Sequence, residues 1–228
     1  SKNRSSIESQ ARQARYKIFE SLLDTNDQIL LAHHRDDVFE TLLLRIFRGT
    51  GVDGLSGLSE KRSLGKGEIL RPFLNSPKSD LKIYIDENEL AYVEDDTNSN
   101  NNFDRNFLRN EIVPSLETRW SKLSERAAFT SLTAKKKKLS LDFMLEKSFK
   151  KEISSGIIER GDFIEIPSFI IEELIRLILR KKGIALPNQK VLSEVMSVFF
   201  QKKPSNESYV EWSRKDGEQM GGKVFSEH

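Results

Sequence analysis

Seven side chains that could do chemistry are concentrated between residues 33 and 48 of this 228-residue chain. They are two histidines, three acids and two of the three arginines in this interval: His33, His34, Asp36, Asp37, Glu40, Arg45 and Arg48. Carboxylates hold hydrated Mg²⁺, and guanidinium groups form paired hydrogen bonds with phosphate. This combination therefore favours a site for a magnesium-bound nucleotide or another phosphate-bearing partner.

The elements around this cluster predict where it lies in the fold. Residues 28–32 form a short apolar run that is typical of a buried parallel strand, and residues 38–47 have the spacing of a helix. If the helix begins at about Arg35, one stripe along its surface carries four polar residues: Asp37, Glu40, Thr41 and Arg45. Polar groups at the carboxyl end of a strand, beside the start of a helix, occupy the place where open α/β sheets bind ligands.

A purely structural interpretation of the cluster is also open. Asp36 and Asp37 favour the start of a helix, and His33 and His34 could be ordinary surface or core residues. Each residue taken alone favours that interpretation, whereas all seven together do not.

The string from Gly49 to Gly54 formally matches G-x-G-x-x-G, but it follows a helix, whereas a dinucleotide-binding fingerprint must follow a strand. We interpret these glycines as a flexible turn.

The remaining elements are predicted from apolar spacing and turn residues. We expect helices at 7–23, 78–88, 106–116, 167–182 and 188–200, and a long basic helix or a pair of helices at 122–151. Extended segments are expected at 69–74 and 92–94, a loop-rich stretch at 51–67, a polar loop at 95–102, a hairpin-like region around Gly156 and Gly161, and a terminal β-hairpin at 208–225 that turns through Asp216 and Gly217.

Composition excludes several classes of protein. The chain is 37% hydrophobic and 32% charged, and no apolar run approaches the length of a membrane span. It contains no cysteine, which rules out disulfides and thiolate catalysis and fits a reducing cytoplasm. Between residues 101 and 151, twelve lysines and arginines face six acids, although the net charge of the whole chain is only +2. This basic stretch could follow a phosphate backbone, or it could be a solvated helix face.

Two long strings resemble those of the tRNA(Ile)-lysidine synthases. The first is AHHRDDVFETLLLRIFRGTG at 32–51, continued by GLSGL at 54–58. The second is FDRNFLRNEIVP at 103–114, followed by RW at 119–120 and similar to that family's R-N-x-x-R signature. Three shorter stretches, ESQARQARY at 8–16, RPFL at 71–74 and EDDTN at 94–98, are also similar. Together they span about half the chain.

The resemblance implies a Rossmann-like parallel-sheet domain of the N-type ATP-pyrophosphatase superfamily, followed by a mainly helical accessory domain. We expect residues 1–118 to form the C-terminal part of the catalytic domain and residues 119–228 a helical linker and tRNA-binding domain. The implied reaction is a carbon–nitrogen ligation. ATP adenylates the wobble cytidine of an isoleucine tRNA with a CAU anticodon, and free L-lysine then displaces AMP at C2, so that the tRNA reads AUA instead of AUG. The implied cofactors are ATP and Mg²⁺, the implied location is the cytoplasm, and the oligomeric state stays open, a homodimer included.

The resemblance also implies roles for individual residues. The catalytic set is His33, His34, Asp37 and Glu40. The ATP-binding set is Thr41, Arg45, Arg48, Gly49, Gly51 and Arg105. The RNA-binding set is Arg71, Asn106, Arg109, Arg119, Arg126, Lys135 and Lys136. Asp36 and Asp37 are the candidate Mg²⁺ ligands.

One departure from the family pattern is the phosphate-binding loop. The family string S-G-G-x-D-S does not occur in this sequence, whose only Gly-Gly pair is Gly221-Gly222. Backbone amides of such a loop cradle pyrophosphate. We therefore expect the chain to be a piece of a longer enzyme, without that loop and without the family's last domain, and to be inactive alone.

Three other functions remain as alternatives. Another N-type ATP-pyrophosphatase, such as a tRNA thiolase, would commonly use cysteines. A metal-dependent phosphohydrolase could be built on His33, His34, Asp36 and Asp37, although adjacent residues at a helix start point in divergent directions. A non-catalytic RNA-binding helical module would rest on the basic stretch alone.

Overall fold

In a computed structural model, the chain forms two compact units, residues 1–139 and 140–228. The structure describes residues 2–202, 204–205, 207–213 and 221–226, with side chains from Gln10 onward. The turn predicted at Asp216 and Gly217 lies outside the described residues. The division into a catalytic part at 1–118 and a tRNA-binding part at 119–228 is a statement about function, and it stays a prediction.

The first unit combines a small sheet with helices. Its strands are β1 (Gln28–Leu30), β2 (Lys61–Leu64) and β3 (Gly67–Leu70). Its helices are α1 (Lys2–Leu22), α2 (Arg35–Phe47), α3 (Val52–Leu55), α4 (Lys78–Glu87), α5 (Asp104–Phe107) and α6 (Val113–Glu117), and α7 (Leu123–Ser148) begins in this unit. A 3-10 turn covers Asp96–Ser99, and a π-helical turn, Leu108–Ile112, joins α5 to α6.

The sheet has the order β1–β3–β2, with β1 parallel and β2 antiparallel to β3. Ile69 of β3 is fully buried and lies between Ile29 and Arg62 in register. A core cluster of Phe39, Leu42 and Ala127 packs α2 against the start of α7. The α/β class expected for this part of the chain is confirmed.

The second unit holds α8 (Lys150–Ser155), α9 (Ser168–Lys181), α10 (Gln189–Met196), a π-helical turn (Ser197–Gln201) and the antiparallel hairpin of β4 (Tyr209–Trp212) and β5 (Gly222–Phe225). Leu174 and Leu192 are fully buried in its core. The Trp212 indole donates to the Ala185 carbonyl at 2.7 Å, which satisfies the polar atom of a buried ring.

Most predicted helices, the parallel pairing of residues 28–30 and the terminal hairpin are confirmed. Four expectations are wrong. The extended segment expected at 69–74 ends at Leu70, and residues 72–74 form a turn. Residues 92–94 form no strand, because none of the strands in the described part of the chain pairs with them and Val93 is 94% exposed. The region around Gly156 and Gly161 is no hairpin: Gly156 ends α8 at φ +80°, and a 3-10 turn follows at Arg160–Phe163. β1 is not buried, since among the described strands it pairs with β3 only and Leu30 is 66% exposed.

The loop-rich stretch at 51–67 contains α3 and β2, two short elements that apolar spacing did not predict. Among the described residues, no helix is both long and apolar enough to cross a bilayer.

Candidate active site

The candidate site lies where the two parallel strands end. His33 and His34 follow β1, and Arg71 follows β3 directly. A backbone hydrogen bond from Leu31 N–H to the Leu70 carbonyl, at 2.9 Å, continues the pairing to the ends of both strands. Because parallel strands end at the same edge of a sheet, these side chains and the start of α2 share one edge.

Both aspartates after the histidines stabilise helix starts. The Asp37 carboxylate accepts the backbone N–H of His34, the N-cap residue of α2, at 2.9 Å. The Asp36 carboxylate accepts the N–H of Lys78, the first residue of α4, at 2.8 Å. Both acids therefore have the helix-start role that the structural interpretation expects, and their assignments to catalysis and Mg²⁺ binding stay predictions. The His34 ring lies between them, with Nδ1 3.6 Å from Asp36 and Nε2 3.4 Å from Asp37.

Asp37 and Glu40 also form an ion-pair cluster with Arg105 and Arg109, which we call the α2 ion cluster. Arg105 Nε donates to Glu40 Oε2 at 2.6 Å, and its Nη2 donates to Asp37 Oδ1 at 2.9 Å. Arg109 Nε donates to Glu40 Oε1 at 2.6 Å, and its Nη2 reaches Glu40 Oε2 at 3.0 Å and Asp37 Oδ1 at 3.3 Å. The cluster thus joins two strings that are more than sixty residues apart in the sequence.

The α2 ion cluster is buried on its acidic side and open on its basic side. Only 4% of the Glu40 side chain and 11% of the Asp37 side chain are exposed, against 24% for Arg105 and 28% for Arg109. Burial alone would lower the pKa of Arg109, but the Glu40 hydrogen bonds and the charges of Glu40 and Asp37 raise it above its usual value. The Arg109 guanidinium therefore stays charged, and the side chains of both arginines are more exposed than those of the two acids.

His33 is neutral in this environment. Burial lowers its pKa from 6.5 to about 4, and the nearby charges of Arg71 and Arg105 add to that effect, while Asp37 opposes it. Its Nδ1 atom is buried and has no hydrogen-bond partner among the described residues. A neutral imidazole with an unpartnered nitrogen can accept or donate a hydrogen bond to a ligand.

The glycine turn after α2 is held by Arg45. Its Nη1 donates to the carbonyls of Gly54 at 2.7 Å and Gly57 at 2.9 Å, and burial lowers its pKa. Gly49 has φ +71° and follows the helix C-cap, as the flexible-turn interpretation expects. A Cβ atom at Gly49 or Gly51 would meet nothing within 4 Å, so open space lies beside both.

The other predicted ligand-binding residues differ in exposure and in the contacts that they make. Thr41 is partly buried on α2, and exposed Arg48 lies 3.5 Å from Asp104. Arg71 is buried and donates to the Ser59 carbonyl at 2.8 Å, so an RNA contact would require it to move. Asn106 donates to the carbonyls of Thr97 and Asn100, which orders the polar loop. These four assignments stay predictions.

The remaining predicted RNA-binding residues lie on the exposed side of the α6–α7 region. Arg119, Arg126 and Lys136 are exposed, and Lys135 is partly buried. The structure places none of these four in the α2 ion cluster.

The α2 ion cluster is the feature that sequence reasoning missed, because acids and arginines were assigned separate roles. The signal was available in the spacing. Asp37 and Glu40 are three residues apart, Arg105 and Arg109 are four apart, and each pair therefore occupies one helix face. Asn110 was also missed; its side chain donates to the Asn98 carbonyl and so helps Asn106 to order the polar loop.

Among the described residues, no group of three or more histidines, aspartates or glutamates lies together as a metal site. Mg²⁺ is commonly held by one or two carboxylates together with substrate phosphates, so it does not need such a group. Asp36, whose side chain is 35% exposed, fits this requirement better than Asp37, whose oxygens accept hydrogen bonds from Arg105, Arg109 and His34.

Comparison with known proteins agrees with this geometry. Residues 1–116 match the family model of the PP-loop domain. The chain belongs to the PP-loop domain family. This PP-loop protein is 38% identical over 190 residues to the tRNA(Ile)-lysidine synthase of Coxiella burnetii, a match that covers 83% of the chain and 42% of the relative.

Two further relatives carry the same name. The Legionella pneumophila protein is 33% identical over 193 residues, which is 83% of the chain and 44% of the relative. The Pseudomonas fluorescens protein is 44% identical over 115 residues, which is 50% of the chain and 26% of the relative. The PP-loop protein therefore spans less than half the length of these relatives.

Proposed function

We propose that this chain is part of a tRNA(Ile)-lysidine synthase, a ligase that uses ATP to attach lysine to the wobble cytidine of isoleucine tRNA. The observation that carries the proposal is the α2 ion cluster. It joins the two strings that resemble this family at the strand ends, and three relatives that share the name support the same activity. We infer a cytoplasmic enzyme that acts on the tRNA with a CAU anticodon.

The reaction consists of two substitutions. Cytidine first attacks the α-phosphorus of ATP, which releases pyrophosphate and leaves an adenylated base. The amine of free lysine then attacks C2, and AMP leaves. Negative charge develops at phosphate in the first step and leaves with AMP in the second, so fixed positive charge nearby lowers both barriers.

Arg105 and Arg109 supply that positive charge. Asp37 and Glu40 hold both guanidinium groups in one orientation before any ligand arrives, which removes the cost of ordering them during reaction. In this proposal Asp37 and Glu40 position the two arginines. Their direct catalytic role is a separate part of the proposal. The unpartnered nitrogen of neutral His33 can bind a substrate group at the same edge of the sheet.

ATP and Mg²⁺ belong to the proposal through the family and the site. Arg48 and the turn from Gly49 to Gly51 would lie along the nucleotide, with the open space at both glycines allowing close approach. Asp36 would hold Mg²⁺ together with phosphate oxygens. Bound Mg²⁺ supplies charge neutralisation at the phosphates.

We further propose that the two parts of the chain have different tasks. Residues 1–118 would form the C-terminal part of the catalytic domain, and residues 119–228 the linker and a tRNA-binding domain. Arg119, Arg126 and Lys135–Lys136 are proposed phosphate contacts, and a shallow dependence of tRNA affinity on salt would count against them. Because the sequence lacks the S-G-G-x-D-S string, these residues alone are expected not to adenylate tRNA.

A chimeric enzyme tests the proposal. The matching segment of the Coxiella burnetii relative is replaced by this chain, and the products of ATP are measured with isoleucine tRNA and lysine. AMP and pyrophosphate are expected, with their formation dependent on tRNA. Release of ADP and phosphate would contradict the proposal.

Substitution within the chimera tests the residues. Asp37→Asn is expected to abolish AMP formation while circular dichroism stays unchanged, and Glu68→Gln, whose partner Lys61 is 62% exposed, serves as the control. Unchanged turnover in the Asp37→Asn chimera would refute the assignment of Asp37.

A further inference from the structure

An exposed tryptophan lies in the turn between α6 and α7. Trp120 is 47% exposed, although large aromatic rings are usually more buried. Its backbone N–H donates to the Leu116 carbonyl at 2.9 Å, so the end of α6 fixes its position. The Arg119 guanidinium lies over the indole, 5.6 Å from the ring centroid. The result is an aromatic surface held at a defined place, with a cation against it.

The backbone of this turn is strained two residues after Trp120. Lys122 has φ +60°, a conformation that costs a non-glycine residue energy and that occurs often at ligand-binding sites. The turn is also basic. From Thr118 to Arg126 the sequence carries three basic residues and one acid, and Arg119, Lys122 and Arg126 are all exposed.

Local charge distinguishes Trp120 from two of the three other exposed aromatic rings that contact a cation in the described residues. The third ring, Phe143 under Lys147, is also in a basic stretch, but its phenyl ring binds cations less strongly than an indole. Tyr92 lies under Lys82, but residues 86–96 contain six acids and no lysine or arginine, a setting that repels phosphate. Tyr209 lies under Lys223, which faces Glu211 across the hairpin. Trp120 combines the best stacking ring with a surplus of positive charge.

We propose that Trp120 is a stacking platform for an unpaired base of the RNA substrate, with Arg119, Lys122 and Arg126 contacting the flanking phosphates. Single-stranded RNA is bound in this way, by aromatic rings under the bases and cations along the backbone. This inference rests on the proposed function, because it takes the RNA to be the tRNA of that reaction. It adds a residue that binds the loop of the RNA outside the α2 ion cluster.

Fluorescence of the 228-residue chain provides the first test. The chain has two tryptophans, and Trp212 is buried, so acrylamide quenching reports mainly on Trp120. The probes are an anticodon stem-loop of isoleucine tRNA and the same stem closed as a continuous duplex. We expect the stem-loop to protect Trp120 from acrylamide and the duplex to leave it accessible. Equal protection by both RNAs would overturn the proposal, as would absence of binding by the stem-loop.

Substitutions provide the second test, with affinity for the stem-loop measured by fluorescence anisotropy. Trp120→Leu is expected to weaken binding roughly ten-fold, whereas Trp120→Phe keeps a stacking ring and stays within about three-fold of the unchanged chain. Tyr92→Leu is the matched control and should leave affinity unchanged. Equal affinity of the Trp120→Leu and unchanged chains would refute the platform.

The two proposals fail in different ways. If the chimeric enzyme releases AMP but stem-loop binding does not depend on Trp120, the platform is wrong and the proposed function stands. If binding depends on Trp120 but the chimera produces no AMP, the platform stands as an RNA site and the proposed function is wrong.

Discussion

Removal of the Glu40 carboxylate should destabilise the first unit more than any change to a surface ion pair. Glu40→Ala removes three charge-assisted hydrogen bonds from a side chain that is 4% exposed. Loss of one partner from a buried ion pair costs roughly 3–5 kcal/mol. Arg105 and Arg109 are about a quarter exposed and keep Asp37, so solvent and Asp37 offset part of that cost. We expect a loss of about 2–4 kcal/mol.

Urea denaturation followed by circular dichroism measures this loss. With a dependence of roughly 1–3 kcal/mol per molar urea, the midpoint should fall by about 1–2 M. Glu40→Gln keeps one acceptor oxygen but places an amide donor against guanidinium groups. Its urea midpoint should therefore fall by at least half as much as that of Glu40→Ala. Glu68→Gln removes an ion pair with Lys61, whose side chain is 62% exposed, and should lower the midpoint far less. A Glu40→Ala midpoint equal to that of the unchanged chain would refute the reasoning.

Three further predictions concern the same unit. Because the pKa of His33 falls from 6.5 to about 4 on folding, the unfolded chain binds its proton more readily and stability should decrease as pH falls through that window. Screening at this partly buried position reduces the full value of roughly 3 kcal/mol to about 1 kcal/mol, and a His33→Gln variant should flatten the profile of urea midpoint against pH. Arg45→Met removes the bonds to the carbonyls of Gly54 and Gly57, so chymotrypsin should cleave the glycine turn faster while circular dichroism stays unchanged. Gly54→Ala would place a Cβ atom 1.7 Å from Thr50 Oγ1 and should cost about 1–3 kcal/mol in thermal unfolding, most of which Thr50→Gly should restore.

Local spacing was enough to predict α2 and the strand before it, beside which the candidate site lies. Val38 and Leu42 recur at the helical period and are both buried, and the polar block ahead of them follows a strand. Local spacing could not show that Glu40 pairs with Arg109, because that contact joins residues sixty-nine positions apart. It depends on how α2 packs near the α5–α6 segment, which is a tertiary property.

The failed strand at 92–94 has a similar cause. Tyr92 and Val93 have high strand propensity, but propensity forms a strand only where a neighbour supplies hydrogen bonds and packing. Lys82 donates to the Tyr92 hydroxyl at 3.2 Å instead, and Val93 is left in solvent. The π-helical turn at Leu108–Ile112 was not predicted either, because the spacing of its residues is that of an ordinary helix.

Incorporation of labelled lysine into RNA by the chimeric enzyme tests the central claim most directly. The proposed function predicts ATP-dependent incorporation into isoleucine tRNA with a CAU anticodon, none into the same tRNA with its wobble cytidine replaced by uridine, and none with Asp37→Asn. A folded chimera that binds ATP and this tRNA but incorporates no lysine would contradict the claim.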